Sequence, residues 1–180
     1  MALPKSPATV GYVLFDTAFG VCGVAWSARG IVRLVLPEAS PEVTETRLRR
    51  QAKVDARVRP PAWVGKAIAA VQAYFTGDDV DFSAVPLDLN AEPEFERRVY
   101  GALRLVAWGN TTTYGGLADH AGSPGAARAV GRAMARNPVP VIVPCHRVLA
   151  AGGAVGGFSA HGGIATKQRM LALERVTLAV

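Results

Sequence analysis

A very short break between two helical segments constrains the fold of this chain more than any other feature. The first segment, residues 114–121, ends at Gly122, and the second, residues 125–136, begins directly after Ser123 and Pro124. Two helices joined by so tight a turn are typical of a helix-turn-helix, whose second helix enters a DNA groove with its N-terminal residues foremost. The pattern alone leaves open an ordinary helical hairpin with solvated arginines.

The second of these helices is suited to close contact with DNA. Its sequence, GAARAVGRAMAR, has small side chains on much of its surface and arginines at 128, 132 and 136. Small residues let the backbone approach DNA, and arginines can reach phosphates or the base stack. Residues 91–180 carry ten Lys and Arg against five Asp and Glu, whereas residues 1–90 carry ten against nine. This basic excess favours nucleic acid as a partner, with a solvated basic face as the alternative.

The remaining pattern predicts an α+β protein in two parts. Glycine-punctuated runs predict a small antiparallel sheet, and apolar residues at helical spacing predict the helices. In chain order, the predicted elements are strands at 11–15, 21–27 and 31–36, a helix capped by Ser40 with Pro41 at its first position, a helix over 64–75, a strand or extended connection over 82–89, a linker at 90–93 and a helix over 95–106. We therefore expect a sheet-and-helix domain at residues 1–89 and a mostly helical domain at residues 90–180.

The hexapeptide Val-Pro-Cys-His-Arg-Val, residues 143–148, is the strongest indication of chemistry. A thiol is a good nucleophile only as a thiolate, and a neighbouring imidazole and cation lower its pKa. Cys145, followed by His146 and Arg147, is therefore predicted to be a reactive nucleophile with a lowered pKa. A buried structural cysteine is the alternative. Two prolines stiffen residues 137–143, which follow the second helix, and this would hold helix and nucleophile at a fixed offset.

Other functions receive little support from the sequence. Cys22 lies in an apolar strand and is expected in the core, and two cysteines so far apart form no disulfide framework. The three scattered histidines have no metal-ligand spacing, so we expect no metal. No apolar run is long enough to cross a membrane, and no signal peptide is evident, so we expect no membrane partner and a cytoplasmic location.

Four segments together resemble a known family. TTTYGGLADHAG, AARAVGRAMARNPVPVIVPCHRV, GAVGGFSAHGG and KQRMLALE are similar to O6-alkylguanine-DNA alkyltransferases, also called methylated-DNA:protein-cysteine methyltransferases. The resemblance runs from about Phe95 to Glu174, and the first half matches only in its layout. It implies a ribonuclease-H-like first domain of largely structural role. It also implies a second domain of winged helix-turn-helix type, with the helix pair at 114–136 and the active-site motif at 144–148.

The resemblance also implies an activity. It points to DNA repair by direct reversal, in which Cys145 irreversibly accepts the alkyl group from O6-alkylguanine in double-stranded DNA, and less efficiently from O4-methylthymine. The protein would bind through the minor groove as a monomer, flip the damaged nucleotide out, use no cofactor and act once, because water does not displace a thioether. Two alternatives remain. An alkyltransferase-like protein binds lesions without repair, although such proteins carry another residue at the cysteine position. A cysteine hydrolase would turn over repeatedly.

The catalytic roles that the resemblance implies fall on five residues. Cys145 would attack the alkyl carbon, while His146, polarised by Glu174, accepts the thiol proton through a water. Asn137 would bridge the second helix and the active-site turn. Tyr114 would donate a proton to the departing base and help to rotate the nucleotide out.

Other matching positions are expected to contact DNA or the damaged base. Arg128 resembles a finger that fills the space of the flipped nucleotide, and Ser123 and Ala127 are further DNA-binding candidates. The residues implied for the substrate pocket are Val148, Phe158 and Ser159. Phe158 stands where many relatives have tyrosine, and the segment continues with the additional Ala160 and His161, which leaves the range of alkyl groups open. His120 and His161 are expected to be surface residues without a catalytic role.

Overall fold

A three-stranded antiparallel sheet and two helices form the first half of the molecule. The structure is a computed structural model, and it describes residues 9–178. The elements of this half are β1 (Gly11–Thr17), β2 (Gly20–Trp26), β3 (Ile31–Val35), α1 (Pro41–Ala52) and α2 (Ala62–Phe75). The strand order is β1-β2-β3, and Gly11 lies opposite Trp26 at one end of the first pair. The three predicted strands are therefore confirmed, with slightly different ends.

Local sequence signals explain how α1 begins. The hydroxyl of Ser40 accepts a hydrogen bond from the backbone N–H of Val43 at 3.4 Å, and Pro41 occupies the first turn, as predicted. Both residues suit a helix N-terminus, because one satisfies a free N–H and the other lacks an N–H that would need a partner. The helix ends at Lys53, whose backbone is left-handed (φ 52°).

The segment 82–89 is an extended connection and not a strand. It touches the sheet through one isolated bridge, in which Ile31 N–H donates to Pro86 O and Asp88 N–H donates to Ile31 O, both at 2.9 Å. The buried Asp88 carboxylate accepts hydrogen bonds from Ser27 Oγ at 2.7 Å and from Asn90 Nδ2 at 2.9 Å. These side-chain hydrogen bonds hold the connection in place, since the backbone forms only this short bridge with the sheet.

The second half is mostly helical. Its elements are α3 (Glu94–Leu103), β4 (Thr112–Thr113), α4 (Tyr114–His120), α5 (Ala127–Ala135), a 3-10 turn (Cys145–Arg147), β5 (Val148–Leu149), a second 3-10 turn (Ala151–Gly153) and α6 (Gly163–Leu173). Helices α4 and α5 pack together, as both a helix-turn-helix and an ordinary helical hairpin require. Helix α5 begins two residues later than the sequence predicts, because Gly125 has a left-handed backbone (φ 80°) that a helix cannot contain.

One apolar core extends through both halves. It contains Cys22 of β2, Tyr74 of α2, Val130 of α5 and Met170 of α6, and it reaches Cys145 in the 3-10 turn. Cys22 is fully buried, as expected from its apolar strand. Within the described part of the chain, no helix is both long and apolar enough to cross a membrane. The core therefore brings the sheet-bearing half against the turn that carries the candidate nucleophile.

Candidate active site

Cys145 lies at the start of a tight turn that follows a strained backbone segment. Its N–H donates to Val143 O at 2.8 Å, and the N–H of Arg147 donates to Pro144 O at 2.9 Å. Upstream, Val141 is buried and has a left-handed backbone (φ 74°). A β-branched residue adopts this conformation at a cost of about 1–3 kcal/mol, so surrounding contacts must enforce it.

Asn137 supplies contacts of this kind. It follows α5, and its Nδ2 donates to Val143 O at 2.8 Å while its Oδ1 accepts from the N–H of Val139 at 3.0 Å. The side chain therefore joins the end of α5 to the segment that leads into Cys145. The sequence resemblance implies this position for Asn137, as a bridge between the second helix of the pair and the active-site turn.

A buried carboxylate forms the centre of the site. Glu174, just after α6, lies with Oε1 2.6 Å from Nε2 of His146, and both residues are almost completely buried. Its Oε2 accepts from Nε of Arg147 at 2.9 Å and from the N–H of Gly109 at 3.3 Å. Burial alone would raise the pKa of Glu174, but the hydrogen bonds and charges of His146 and Arg147 outweigh it and lower the pKa to about 2. Glu174 is therefore ionised and only accepts hydrogen bonds.

The guanidinium of Arg147 forms its ion pair with the Glu174 carboxylate and does not activate the thiol. Its Nε and Nη2 contact Glu174 Oε1 at 3.2 Å and 3.1 Å, and its Nη1 donates to Val106 O at 2.5 Å. The expectation that neighbouring charges lower the thiol pKa is wrong for the resting protein, because burial raises the pKa of Cys145. The Asn137 amide and the charge of Lys167 oppose this rise without overcoming it.

The imidazole of His146 is neutral. Burial lowers the pKa of His146, although Glu174 acts in the opposite direction. Nδ1 is buried and has no hydrogen-bond partner within residues 9–178. Since Nε2 lies against a carboxylate, the proton of neutral His146 is on Nε2 and the lone pair is on Nδ1.

Two functional neighbours were not predicted from the sequence. The hydroxyl of Tyr74, on α2, donates to Glu174 Oε1 at 3.0 Å and lies 3.1 Å from His146 Nε2. Lys167, on α6, is fully buried, and its Nζ donates to Val148 O at 2.5 Å and to Gly157 O at 3.4 Å. An apolar helix gives no sign that one tyrosine on it will face a distant histidine. Lys167 belongs to KQRMLALE, one of the four segments that carry the family resemblance. Its burial could not be expected, because lysine is seldom buried.

Cys145 lies in the wall of at least two clefts among residues 9–178. One, of about 240 Å³, lies between the helix pair and the segment before α6, and its lining residues are Tyr114, Gly131, Met134, Ala135, Cys145, Gly157, Phe158 and Ser159. The other, of about 410 Å³, also has Cys145, Phe158 and Ser159 in its wall and extends to β3 and α1. Phe158 and Ser159 thus line both clefts together with Cys145. Val148 lines neither cleft, because it is fully buried in β5, and its carbonyl receives the Lys167 hydrogen bond.

Tyr114 is held at one wall of the smaller cleft by its neighbours. It is the first residue of α4, whose cap is Thr113, and the hydroxyl of Thr113 accepts from the N–H of Gly116 at 3.0 Å. Gly156 packs closely against Tyr114, since a Cβ at this position would lie only 3.4 Å from the Tyr114 hydroxyl. The backbone of Gly156 is also left-handed (φ 71°), a conformation that favours glycine. Burial raises the pKa of Tyr114, so its hydroxyl keeps the proton that it could donate.

The DNA-binding candidates lie together at the start of α5. Ala127 is its first residue, and Arg128 is exposed in the same turn. Ser123, in the loop between the paired helices, accepts a long hydrogen bond from Arg98 Nη2 at 3.4 Å. Two further arginines of this region, at 132 and 136, are exposed. His120 and His161 are also exposed, as expected for surface residues.

The sequence is similar to a known protein family over the second half of the chain and to individual relatives over most of its length. Residues 94–176 match the family model described as 6-O-methylguanine DNA methyltransferase, DNA binding domain. The methylated-DNA–protein-cysteine methyltransferase of Mycolicibacterium paratuberculosis is 42% identical over 146 residues, which are 79% of this chain and 86% of that protein.

Solved structures agree with the sequence relatives. A crystal structure of the O6-methylguanine methyltransferase of Mycobacterium tuberculosis is 37% identical, covers 92% of each chain and superposes with a TM-score of 0.73. A structure of OGT from the same organism in complex with DNA is 36% identical, with a TM-score of 0.74 over 92% of this chain and 93% of that one. The similarity therefore extends beyond the matched domain to the first half of the molecule.

Proposed function

The chain belongs to the family of methylated-DNA–protein-cysteine methyltransferases, and we propose on this basis that it repairs DNA by moving the alkyl group of O6-alkylguanine to its own Cys145. The observation that carries the proposal is the position of this thiol, which borders a cleft next to the buried His146–Glu174 pair. A thiol, a neutral imidazole and an oriented carboxylate are the groups that a nucleophilic transfer requires.

The proposed reaction is a single displacement at carbon. The sulfur of Cys145 bonds to the alkyl carbon, the bond between that carbon and O6 breaks, and its electron pair remains on the guanine. Nδ1 of His146 takes the thiol proton through a water molecule, and the resulting imidazolium is stabilised by the Glu174 carboxylate. Tyr114 donates a proton to the departing base. The imidazolium then loses its proton and the tyrosinate regains one by exchange with water, so the net result exchanges the proton of the thiol for the alkyl group of the base.

We propose that the thiol is activated only when the damaged base is bound, because burial raises the pKa of Cys145 in the resting protein. Burial disfavours the thiolate, and Lys167 and the Asn137 amide are the groups that favour it. We therefore assign these two residues to stabilising negative charge as it forms on sulfur, when His146 removes the proton. Arg147, which the sequence placed next to the thiol, instead keeps Glu174 charged.

Each molecule acts once in this proposal. The product is a thioether, whose carbon–sulfur bond water does not displace under mild conditions, so no step regenerates Cys145. No cofactor takes part in the displacement. The proposed substrate range is O6-alkylguanine first and O4-methylthymine with lower efficiency, and Phe158 and Ser159 would line the pocket for the base.

The helix pair would deliver the damaged base. The alkylated oxygen cannot reach a buried sulfur while its base is stacked, so the nucleotide must be flipped out, and a damaged pair costs less to open. We assign Arg128, exposed at the start of α5, to filling the space that the flipped nucleotide leaves, from the side of the minor groove. Ala127 and Ser123 would lie close to the DNA backbone. We further propose a monomer that acts in the cytoplasm, where a reducing environment keeps thiols free.

Mass spectrometry after incubation with a duplex that contains O6-methylguanine tests this function. We expect a mass increase of one methyl group per molecule, located on the peptide that contains Cys145, and no increase in a Cys145→Ala variant that retains Cys22. Binding of the damaged duplex without any mass increase would support the lesion-binding alternative. Repeated turnover of a thioester substrate through Cys145 would support a hydrolase.

A further inference from the structure

Tyr74 connects the first half of the molecule to the acid–base pair of the second half. It lies in the last turn of α2, is fully buried, and packs edge-on against Trp108 with ring centroids 5.6 Å apart. Its hydroxyl lies 3.0 Å from Glu174 Oε1 and 3.1 Å from His146 Nε2. One oxygen atom therefore contacts both members of the pair that would accept the thiol proton.

The charges around this hydroxyl fix the direction of its hydrogen bond. Burial and the neighbouring Glu174 carboxylate raise the pKa of Tyr74, so the hydroxyl keeps its single proton. An ionised carboxylate only accepts hydrogen bonds, so the proton of Tyr74 points to Glu174. The lone pairs of the same oxygen are then left to face Nε2 of His146.

Nε2 of His146 is consequently surrounded by acceptors. It meets Glu174 Oε1 at 2.6 Å and the lone pairs of Tyr74 at 3.1 Å. A proton on Nε2 satisfies both contacts, whereas a lone pair there would repel the carboxylate. We propose that the Tyr74 hydroxyl is a positioning group that, together with Glu174, holds His146 in the tautomer protonated on Nε2 and so keeps Nδ1 available as the base.

A competing contact explains why a second group is needed. Nε and Nη2 of Arg147 also approach Glu174 Oε1, at 3.2 Å and 3.1 Å, so the guanidinium and the imidazole share one carboxylate oxygen. The Tyr74 hydroxyl fixes this oxygen from the side of α2. Without it, the carboxylate is free to turn towards Arg147, and the imidazole loses one of the two contacts that select its tautomer.

The inference rests on the proposed function, and Tyr74→Phe tests it because the ring and its packing are kept. We expect the single-turnover rate of methyl transfer from a methylated duplex to fall roughly tenfold, less than the 10²–10⁴-fold that a general base itself contributes. Tyr12→Phe is the matched control. Tyr12 is also buried and its hydroxyl also donates to a glutamate, Glu45, at 2.6 Å, but it lies in β1 away from Cys145.

Nitrogen-15 spectra of the histidine rings separate a tautomer effect from a loss of stability. The chain has three histidines, and His120→Gln and His161→Gln each remove one set of signals, which assigns His146. In the wild type, we expect a protonated Nε2 and an unprotonated Nδ1. In Tyr74→Phe, a population with the proton on Nδ1 should appear, whereas Tyr12→Phe should match the wild type.

Several results would overturn the inference. A folded Tyr74→Phe protein with an unchanged rate would do so, as would a slower rate with an unchanged tautomer. If Tyr74→Phe does not fold, a wild-type His146 protonated on Nδ1 would still refute the assignment. Failure of the wild type to accept a methyl group would instead contradict the proposed function, and the ring spectra would continue to test Tyr74.

Discussion

Glu174 determines the electrostatics of the active site at the scale of single residues. Its two oxygens accept from the imidazole of His146, the guanidinium of Arg147, the hydroxyl of Tyr74 and the N–H of Gly109. Removing one partner of a buried ion pair leaves the other charge uncompensated, which typically costs about 3–5 kcal/mol. The carboxylate is thus important both for the stability of the molecule and for the proposed orientation of the base.

We expect Glu174→Gln to lose stability of this order at neutral pH, measured by urea unfolding. The difference from the wild type should depend on pH. The pKa of Glu174 is lowered from 4.5 to about 2 in the folded protein, so its contribution is complete above about pH 4.5 and is lost as pH falls towards about 2. The gap between the two proteins should therefore narrow at acid pH. A constant gap would show that the charge of Glu174 does not provide the stabilisation.

The sequence predicted some site residues and not others for reasons of distance and orientation. Cys145 and His146 are adjacent in a recognisable motif, so both could be predicted. The direction of the Arg147 side chain could not, because a short turn does not show whether a guanidinium faces the thiol or the carboxylate. Tyr74 precedes His146 by 72 positions, and only the packing of α2 against the second half brings them together.

At the scale of elements, the start of α5 combines an exposed Arg128 with the small residue Ala127. We expect Arg128→Ala to reduce methyl transfer from duplex DNA much more than dealkylation of free O6-alkylguanine base, because only the duplex requires flipping. Single-turnover rates on the two substrates measure the ratio. Arg59→Ala, which removes an exposed arginine from the first half, is the control for loss of charge. Equal losses on both substrates would remove the flipping role.

The N-cap of α4 directly precedes Tyr114, the proposed proton donor. Thr113 accepts from the N–H of Gly116 and directly precedes Tyr114. Thr113→Ala should cost about 1 kcal/mol of stability, the typical value for a lost N-cap. It should also slow methyl transfer, because the first turn of α4 holds Tyr114 at the cleft, whereas Thr113→Ser should preserve both properties. Thermal unfolding and single-turnover rates test this, and an unchanged rate in Thr113→Ala would show that Tyr114 does not depend on the cap.

Element boundaries could be predicted where a local signal sets them. Ser40 and Pro41 define the start of α1 by their own chemistry, and the structure agrees. The extended segment 82–89 could not be distinguished from a strand, because the buried Asp88 that anchors it bonds to Ser27, which lies 61 positions earlier. Gly125 delays the start of α5 through its backbone conformation, which glycine permits but does not require.

At the scale of the whole molecule, the two halves share one core and one hydrogen-bond network. The sequence predicts separate domains at 1–89 and 90–180, with a structural role for the first. The first half also contributes to the proposed acid–base pair, because the hydroxyl of Tyr74 contacts both His146 and Glu174.

We expect a fragment of residues 90–180 to be much less stable than the whole chain, because it loses the apolar surface of α2 and the Tyr74 hydroxyl. Circular dichroism during thermal unfolding, with the full chain as the control, measures this. A fragment that unfolds at the same temperature as the full chain would show that the second half folds independently.

The burial of Cys145 also concerns reactions other than repair. Only 6% of the residue is exposed and burial raises the pKa of its thiol, whereas oxidants such as peroxide react with exposed thiolates. Oxidation of this sulfur as far as the sulfonic acid would inactivate a molecule as permanently as alkylation, with no lesion removed. In the proposed function, we expect a thiol that stays protonated until a flipped base fills the cleft to react slowly with oxidants, so that the stock of active protein declines with the damage in DNA more than with the oxidants around it.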